Sequence, residues 1–276
     1  MSTWTLLCRV WDPHPTVLAG CGALALAYWL ALPERGWMMW SFLLGTTILA
    51  LALVSPLDAL GDRYLFVAHM LQHPLLLLAV PPLLLLRLPR QATDGALRRA
   101  PLAHAERVFG APAIAWPLGI GAMWLWHLPA LYGLALRSQP VHVWQHLTFL
   151  VSSTVFWWPV LAPVRRLSRP FAILYLLGAS LASALLGIII TFAPVGLYPT
   201  YAAGTGDLAV LRLIRDGWRL DAATDQQLGG LLMWVPGGGV YLLAMLAIVI
   251  RWLDEAEPRM AGERGAGPAI AGLSSN

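Results

Sequence analysis

Apolar positions along this chain gather into long blocks, and the polar positions fall between them. Apolar stretches near 16–32, 37–54, 64–86, 112–134, 141–162, 171–193 and 228–252 each approach the roughly 20 residues a helix needs to cross a bilayer. The pattern predicts an all-α, polytopic membrane protein, a bundle of seven transmembrane helices forming one domain over residues 1–255. A polar tail rich in Gly, Pro and Ala over 256–276 is expected to be disordered and cytoplasmic. The first two spans are short, and the Pro33–Gly36 turn between them reads as the tip of a helical hairpin. Proline interrupts several spans, at Pro74, Pro81, Pro82, Pro129, Pro159 and Pro236. Pro74 withholds a donor from the carbonyl of Met70 and predicts a local distortion beside His69.

Composition agrees with the pattern. Only 12% of residues are charged and 58% are hydrophobic, against about 25% charged in ordinary soluble domains. The net charge of +4 therefore reports orientation before it reports any nucleic-acid partner, and none is expected. Of the 18 basic residues, all arginine, six fall on the side that holds the N-terminus and the 55–63, 135–140 and 194–227 loops. The other twelve fall with the 33–36, 87–111 and 163–170 loops and the tail. The excess of positive charge marks the cytoplasmic side, so the N-terminus is expected outside and the C-terminus inside. The first residues lack a basic segment followed by a clean apolar core, and no cleaved signal peptide is expected. Tryptophans at span ends, such as Trp29, Trp37, Trp116, Trp157, Trp158 and Trp252, fit an interfacial belt.

Against this background the histidines stand out. His69 and His73 open one apolar stretch, and His142 and His146 open another. An i, i+4 pair places two imidazoles on one helix face, a spacing that suits two ligands of one metal ion. At 1.5 Å per residue His69 and His73 lie about 8 and 14 Å below the outer end of the third span, His127 about 10 Å below that of the fourth, and His146 about 8 Å below that of the fifth. Five histidines thus share one stratum of the outer leaflet on three consecutive helices. Ionisable residues inside a membrane are costly and mark function by default. A single membrane histidine is more often a satisfied interhelical hydrogen bonder, but five at one depth point to a metal or cofactor site.

Neutral imidazoles suit Zn, Cu, Fe or Ni. Thioethers at the same level, Met70, Met123 and Met233, would favour Cu(I), although methionine also serves as an adaptable packing residue. Asp58, Asp62 and Asp225 could supply oxygen ligands or orient a ligand histidine through its other N–H, or could simply be solvated. Asp225 precedes Gly229–Gly230, which would let the last helix approach its neighbours closely. His14 flanks the first span, His104 lies in a polar loop, and Cys8 and Cys21 are too far apart for a CxxC site. No role is assigned to these four.

Other chemistries find little support. There is no Walker, Rossmann or HExxH pattern, no Gly-x-Ser-x-Gly nucleophile elbow and no regular arginine ladder of a voltage sensor. A metal permease would carry polar residues across the inner halves of the spans, and those halves are almost purely apolar.

HMLQHPLLLLAVPPLLLL (69–86), WLWHLPALYGLAL (124–136), HVWQHLTFLVSSTVFWWPVL (142–161), LGIIITFAPVGLYPTY (186–201) and DQQLGGLLMWVPGG (225–238) together resemble the CtaG family of cytochrome c oxidase assembly factors, the multi-span group named for caa-type oxidases. The resemblance covers about residues 60–250, in order. It implies a seven-helix protein of the bacterial plasma membrane that is needed for maturation of haem-copper oxidase, not an enzyme. It also implies copper supply to oxidase subunits, from a periplasmic copper donor if one exists. By motif, His69, His73, His127, His142 and His146 carry over as metal positions, with Asp225, Met233, Met70 and Asp58 in support. Two rivals remain at this point: a haem-binding redox protein, in which two histidines ligate one iron axially, and a metal-free scaffold for oxidase subunits.

Overall fold

The computed structural model describes residues 2–31, 38–86, 88–164, 167–204 and 206–265. All regular secondary structure among them is helical. In order the helices are α1 (Thr3–Arg9), α2 (Pro15–Ala31), α3 (Met38–Val54), α4 (Pro56–Arg63) and α5 (Phe66–Leu85). There follow α6 (Arg90–Leu97), α7 (Ala100–Phe109), α8 (Pro112–Trp126), α9 (Pro129–Arg137) and α10 (Gln139–Leu161). The chain ends with α11 (Arg169–Phe192), α12 (Pro199–Ala203), α13 (Leu208–Arg212) and α14 (Ala222–Gly265). The expected Pro33–Gly36 turn lies outside the described residues. The expected tail from 256 begins within α14, and residues 266–276 are outside the description.

Among the described residues, three helices are long and apolar enough to cross a membrane, α5, α11 and α14, the last over Ala222–Glu255. The number rises to five if two bent pairs each count as one span: α3 with α4, bent by 43°, and α7 with α8, bent by 72°. Helix α10 has 23 residues, about 35 Å, but His142, Gln145 and His146 dilute the apolar character of its first half. Helix α2 is apolar but shorter.

The clearest difference from expectation falls at the span placed over 112–134. The chain breaks there after Trp126, and α9 begins at Pro129. A residue before proline is pushed out of the helical region. Leu128 accordingly takes an extended backbone, and His127 becomes the last half-turn of α8. The stretches expected as loops also hold helices: α4 in 55–63, α6 and α7 in 87–111, and α12 and α13 in 194–227.

The distortion expected beside His69 lies further along. Phe66–Pro74 is α-helical, and residues Leu75–Ala79 form a π-helical turn inside α5. This turn lies ahead of Pro81 and Pro82, which lack the N–H that would serve carbonyls four or five residues earlier. Backbone groups released within a membrane helix need partners from its neighbours. Helix α10 supplies them: Ser153 Oγ donates to Leu76 O at 3.3 Å and Trp157 Nε1 to Leu77 O at 3.1 Å. These bonds hold α10 in register with α5, so the two histidine pairs lie side by side.

Helix α14 wedges between α5 and α11. A methyl group at Gly229 would collide with the Phe66 ring and touch Met70, and one at Gly230 would meet Thr191 and the Gly187 carbonyl. The expected close approach at Gly229–Gly230 is therefore what the packing requires. Phe66, Met70, Phe149, Trp157, Leu176 and Ile190 form the buried centre of the resulting core. At the end away from the histidines, Arg169 pairs with Glu255 and ties the start of α11 to α14.

Candidate metal centre

The five expected histidines meet. Ring centroids are separated by 4.5 Å for His69–His73, 4.2 Å for His142–His146, 5.4 Å for His69–His142, 6.0 Å for His69–His146 and 5.1 Å for His73–His127. All five rings are buried. Helix α5 presents His69 and His73 on the face that also carries Gln72. Helix α10 turns His142 and His146 inward on the same stripe as Phe149 and Ser153, because imidazole in lipid would be costly.

The hydrogen bonds around each ring assign its free nitrogen. His127 Nδ1 lies 2.6 Å from Met123 O, and its Nε2 lies 3.2 Å from His73 Nδ1. The Met123 carbonyl can only accept, so His127 carries its proton on Nδ1. Its Nε2 then accepts from His73 Nδ1, which leaves a lone pair on His73 Nε2. Both nitrogens of His127 are thus engaged within the protein.

His69 is set by an analogous network. Its Nδ1 sits 3.4 Å from Gly61 O and 3.3 Å from Tyr201 Oη. Tyr201 donates to Gly61 O at 2.6 Å and contacts the Tyr132 hydroxyl at 3.1 Å. With Nδ1 donating into this group, the free lone pair of His69 is on Nε2. A Cβ at Gly61 would lie 3.0 Å from the backbone of His69, so glycine is what lets α4 come this close.

The outcome is a set of buried nitrogens with no partner in the protein: Nε2 of His69, His73, His142 and His146. Unpartnered buried polar atoms are rare and call for an explanation, of which an ion is one. One ligand atom from each of His69, His73 and His146 lies within 4.8 Å of the others. Three imidazole nitrogens around an ion at bond lengths of about 2.0–2.1 Å would stand about 3.5 Å apart, so modest ring movement closes this triad. Asp62, His69 and His142 form a second such group. The donor set therefore fits a metal ion.

The supporting candidates separate from the nitrogens. Asp225, fully buried, accepts from Phe66 N and Val67 N at 2.9 Å each and so caps the start of α5 from α14. Met70 packs against Gly229 on another face of α5. Met233 and Met123 line a small apolar cavity with Pro74, Leu77, Phe156 and Ser183. Asp58 accepts from Gln72 Nε2 at 2.6 Å, and the same amide donates to Ala52 O at 2.7 Å, which locks α5 to the α3–α4 bend. His14 and Cys21 line a cleft of about 360 Å³ whose inner wall includes His142, His146 and Asp58.

The reading of the sequence missed Tyr132 and Tyr201, which stand in the quoted ALYGL and LYPTY segments but carry no spacing that announces a partner. It named Asp62 with Asp58 and Asp225 as a possible oxygen ligand, but gave it no particular histidine as neighbour. Tyr201 reaches His69 because the chain after α11 folds back over the site, with Arg215 donating to Tyr201 O at 3.1 Å and Tyr198 to His127 O at 2.8 Å.

Comparison with known families is decisive at a coarser level. The family model described as cytochrome c oxidase caa3 assembly factor (Caa3_CtaG) matches residues 18–255. The chain belongs to this family. None of the curated proteins and none of the solved structures matches it. As a caa3 assembly factor family member, the chain has the buried histidines, Asp62 and both site tyrosines within its matched region, whereas α1 precedes it.

Proposed function

We propose that this protein holds copper at His69, His73 and His146 and delivers it to a subunit of a haem-copper oxidase during assembly, acting as a carrier and not as an enzyme. The observation that carries the reading is the convergence of three buried imidazole nitrogens whose lone pairs meet no donor in the protein. His142 flanks the triad, and His127 acts through His73 by taking the Nδ1 proton. Neutral imidazole suits copper, which stands at the top of the divalent affinity order, and a three-nitrogen site also accommodates Cu(I).

The reading also takes the protein as a seven-span, multi-pass protein of the bacterial plasma membrane, N-terminus outside, with its site opening to the outer side. Seven spans follow if α2, the α3–α4 pair, α5, α8–α9, α10, α11 and α14 each cross. The recipient oxidase subunit and any periplasmic donor then meet the protein on that side.

A haem between two of these histidines would need an open slab. Tyr132 lies 5.1 Å from His69 and Phe149 lies 4.6 Å from His73 by ring centroids, which favours an ion over a macrocycle. The test is metal content and absorption of the detergent-purified protein, as isolated and after Cu(I) loading. About one copper per chain without a Soret band is the expected result, falling to near zero in the His69→Ala/His73→Ala double variant with expression unchanged. A Soret band would replace copper by haem, and neither signal would leave a scaffold.

A further inference from the structure

We infer that Asp62, His69 and His142 form a second position for the same ion, through which it enters and leaves the buried triad. This rests on the metal-carrying reading above and adds a route to it. The two groups share His69, and each brings its three ligand atoms within 4.8 Å. Asp62 gives the second group its most exposed ligand. Its side chain is 22% exposed, against 5% for His142 and 0% for His69, while His73 and His146 of the first group are 0% and 8% exposed. Asp62 Oδ1 and His142 Nε2 stand 3.3 Å apart, and neither atom makes a hydrogen bond.

Sharing makes the two positions exclusive. A neutral imidazole has one lone pair. Nδ1 of His69, the nitrogen 3.9 Å from Asp62 Oδ1, is committed to Gly61 and Tyr201, so an ion at either position has to be met by Nε2. His69 Nε2 can therefore serve one ion at a time. Two ions would leave one of them with two protein ligands. A single ion can instead move from Asp62–His142 to His73–His146 while His69 stays bound, so it is never without a ligand. The carboxyl group offers the outer position an oxygen ligand on its more exposed side, and any proton it carries passes to water when the ion binds. The inner position, all neutral nitrogen, holds a soft monovalent ion without burying a net negative charge. No electron changes hands in the transfer.

The experiment uses the full-length protein in detergent, loaded anaerobically with Cu(I), and follows extraction by a Cu(I)-specific chelator in stopped flow. Stoichiometry and the X-ray absorption signature of the bound ion are recorded alongside. Wild type is expected to hold one copper. Asp62→Asn and His142→Gln are expected to keep that copper and its nitrogen coordination, but to release it at least roughly tenfold more slowly. Asp62→Glu should recover most of the rate. Unchanged release in both variants overturns the route, as does loss of bound copper in Asp62→Asn, which would make Asp62 a ligand of the resting ion. Two coppers in wild type overturn exclusivity. A wild type that binds no copper instead removes the carrier reading itself. Thermal unfolding of each variant separates a folding defect from all of these.

Discussion

At the scale of single residues, what matters is which nitrogen of each ring is left over. His127 illustrates the point. By type and depth it counts with the other four histidines, yet its two nitrogens are spent on Met123 and His73. Its contribution is to fix the tautomer and orientation of His73, a ligand under the proposed function. Partners of that kind typically cost 10–100-fold in metal affinity when removed. His127→Ala is therefore expected to weaken copper binding by about that factor while one copper per chain is still reached at saturation, as competition with a chelator of known affinity would measure. His73→Ala, by contrast, should abolish retention at any practical concentration. Equal effects of the two substitutions would put His127 among the ligands.

At the scale of elements, the site depends on how α5 is held. Its start is capped across the bundle by Asp225, its middle is tied to α10 at the π-helical turn, and its flank rests on the Gly229 gap in α14. Asp225→Ala leaves two buried backbone donors at the head of α5 without an acceptor, a loss of about 1–3 kcal/mol for each unsatisfied group. The expected result is a lower unfolding midpoint with copper bound at reduced affinity, read by thermal denaturation of apo and loaded protein. Gly229→Ala forces a methyl group into Phe66 and Met70. Overpacking of this kind costs about 1–3 kcal/mol, and here it would push α5 and its histidines away from α14. If Asp225→Ala left stability unchanged but removed copper, Asp225 would be a ligand and not a cap.

At the scale of the whole molecule, the proposed function takes the arginine asymmetry and the clustered histidines together as a protein that works from one face. Cys8 in α1 is exposed and belongs to the histidine end, where the α1 region packs with α4, α5 and the segment after α13. In a Cys21→Ser background, a membrane-impermeant maleimide is expected to label Cys8 in intact cells. Labelling only after permeabilisation would reverse the topology and place copper loading on the cytoplasmic side. The helices α6 and α7 lie in the arginine-rich stretch assigned to the opposite side, and their apolar residues face α10 across a groove lined by Leu97, Phe109, Val151 and Trp158. A loop reading of that stretch could not have supplied them, because their apolar positions are too few and too spaced to look like spans.

The sequence alone determined that the chain is helical and apolar enough for a membrane, that its histidines come in i, i+4 pairs, and that its blocks belong to an assembly-factor family. These follow from local quantities: hydropathy over a helix length, and the 3.6-residue period that puts residues 69 and 73, or 142 and 146, on one face. The close approach at Gly229–Gly230 was legible for the same reason, since a missing Cβ acts within its own turn, whereas the distortion expected beside His69 falls at Leu75–Ala79 instead. The break of the 112–134 stretch before Pro129 is local in the same way. Only the tertiary structure decided that Asp225 caps α5. It alone brought Tyr201 to His69 and gave Asp62 a place beside His142. Each depends on a contact between positions far apart in the chain, such as Asp225 with Phe66 or Tyr201 with Gly61. A ring's chemical role is set by what its other nitrogen touches, and that partner is chosen by packing.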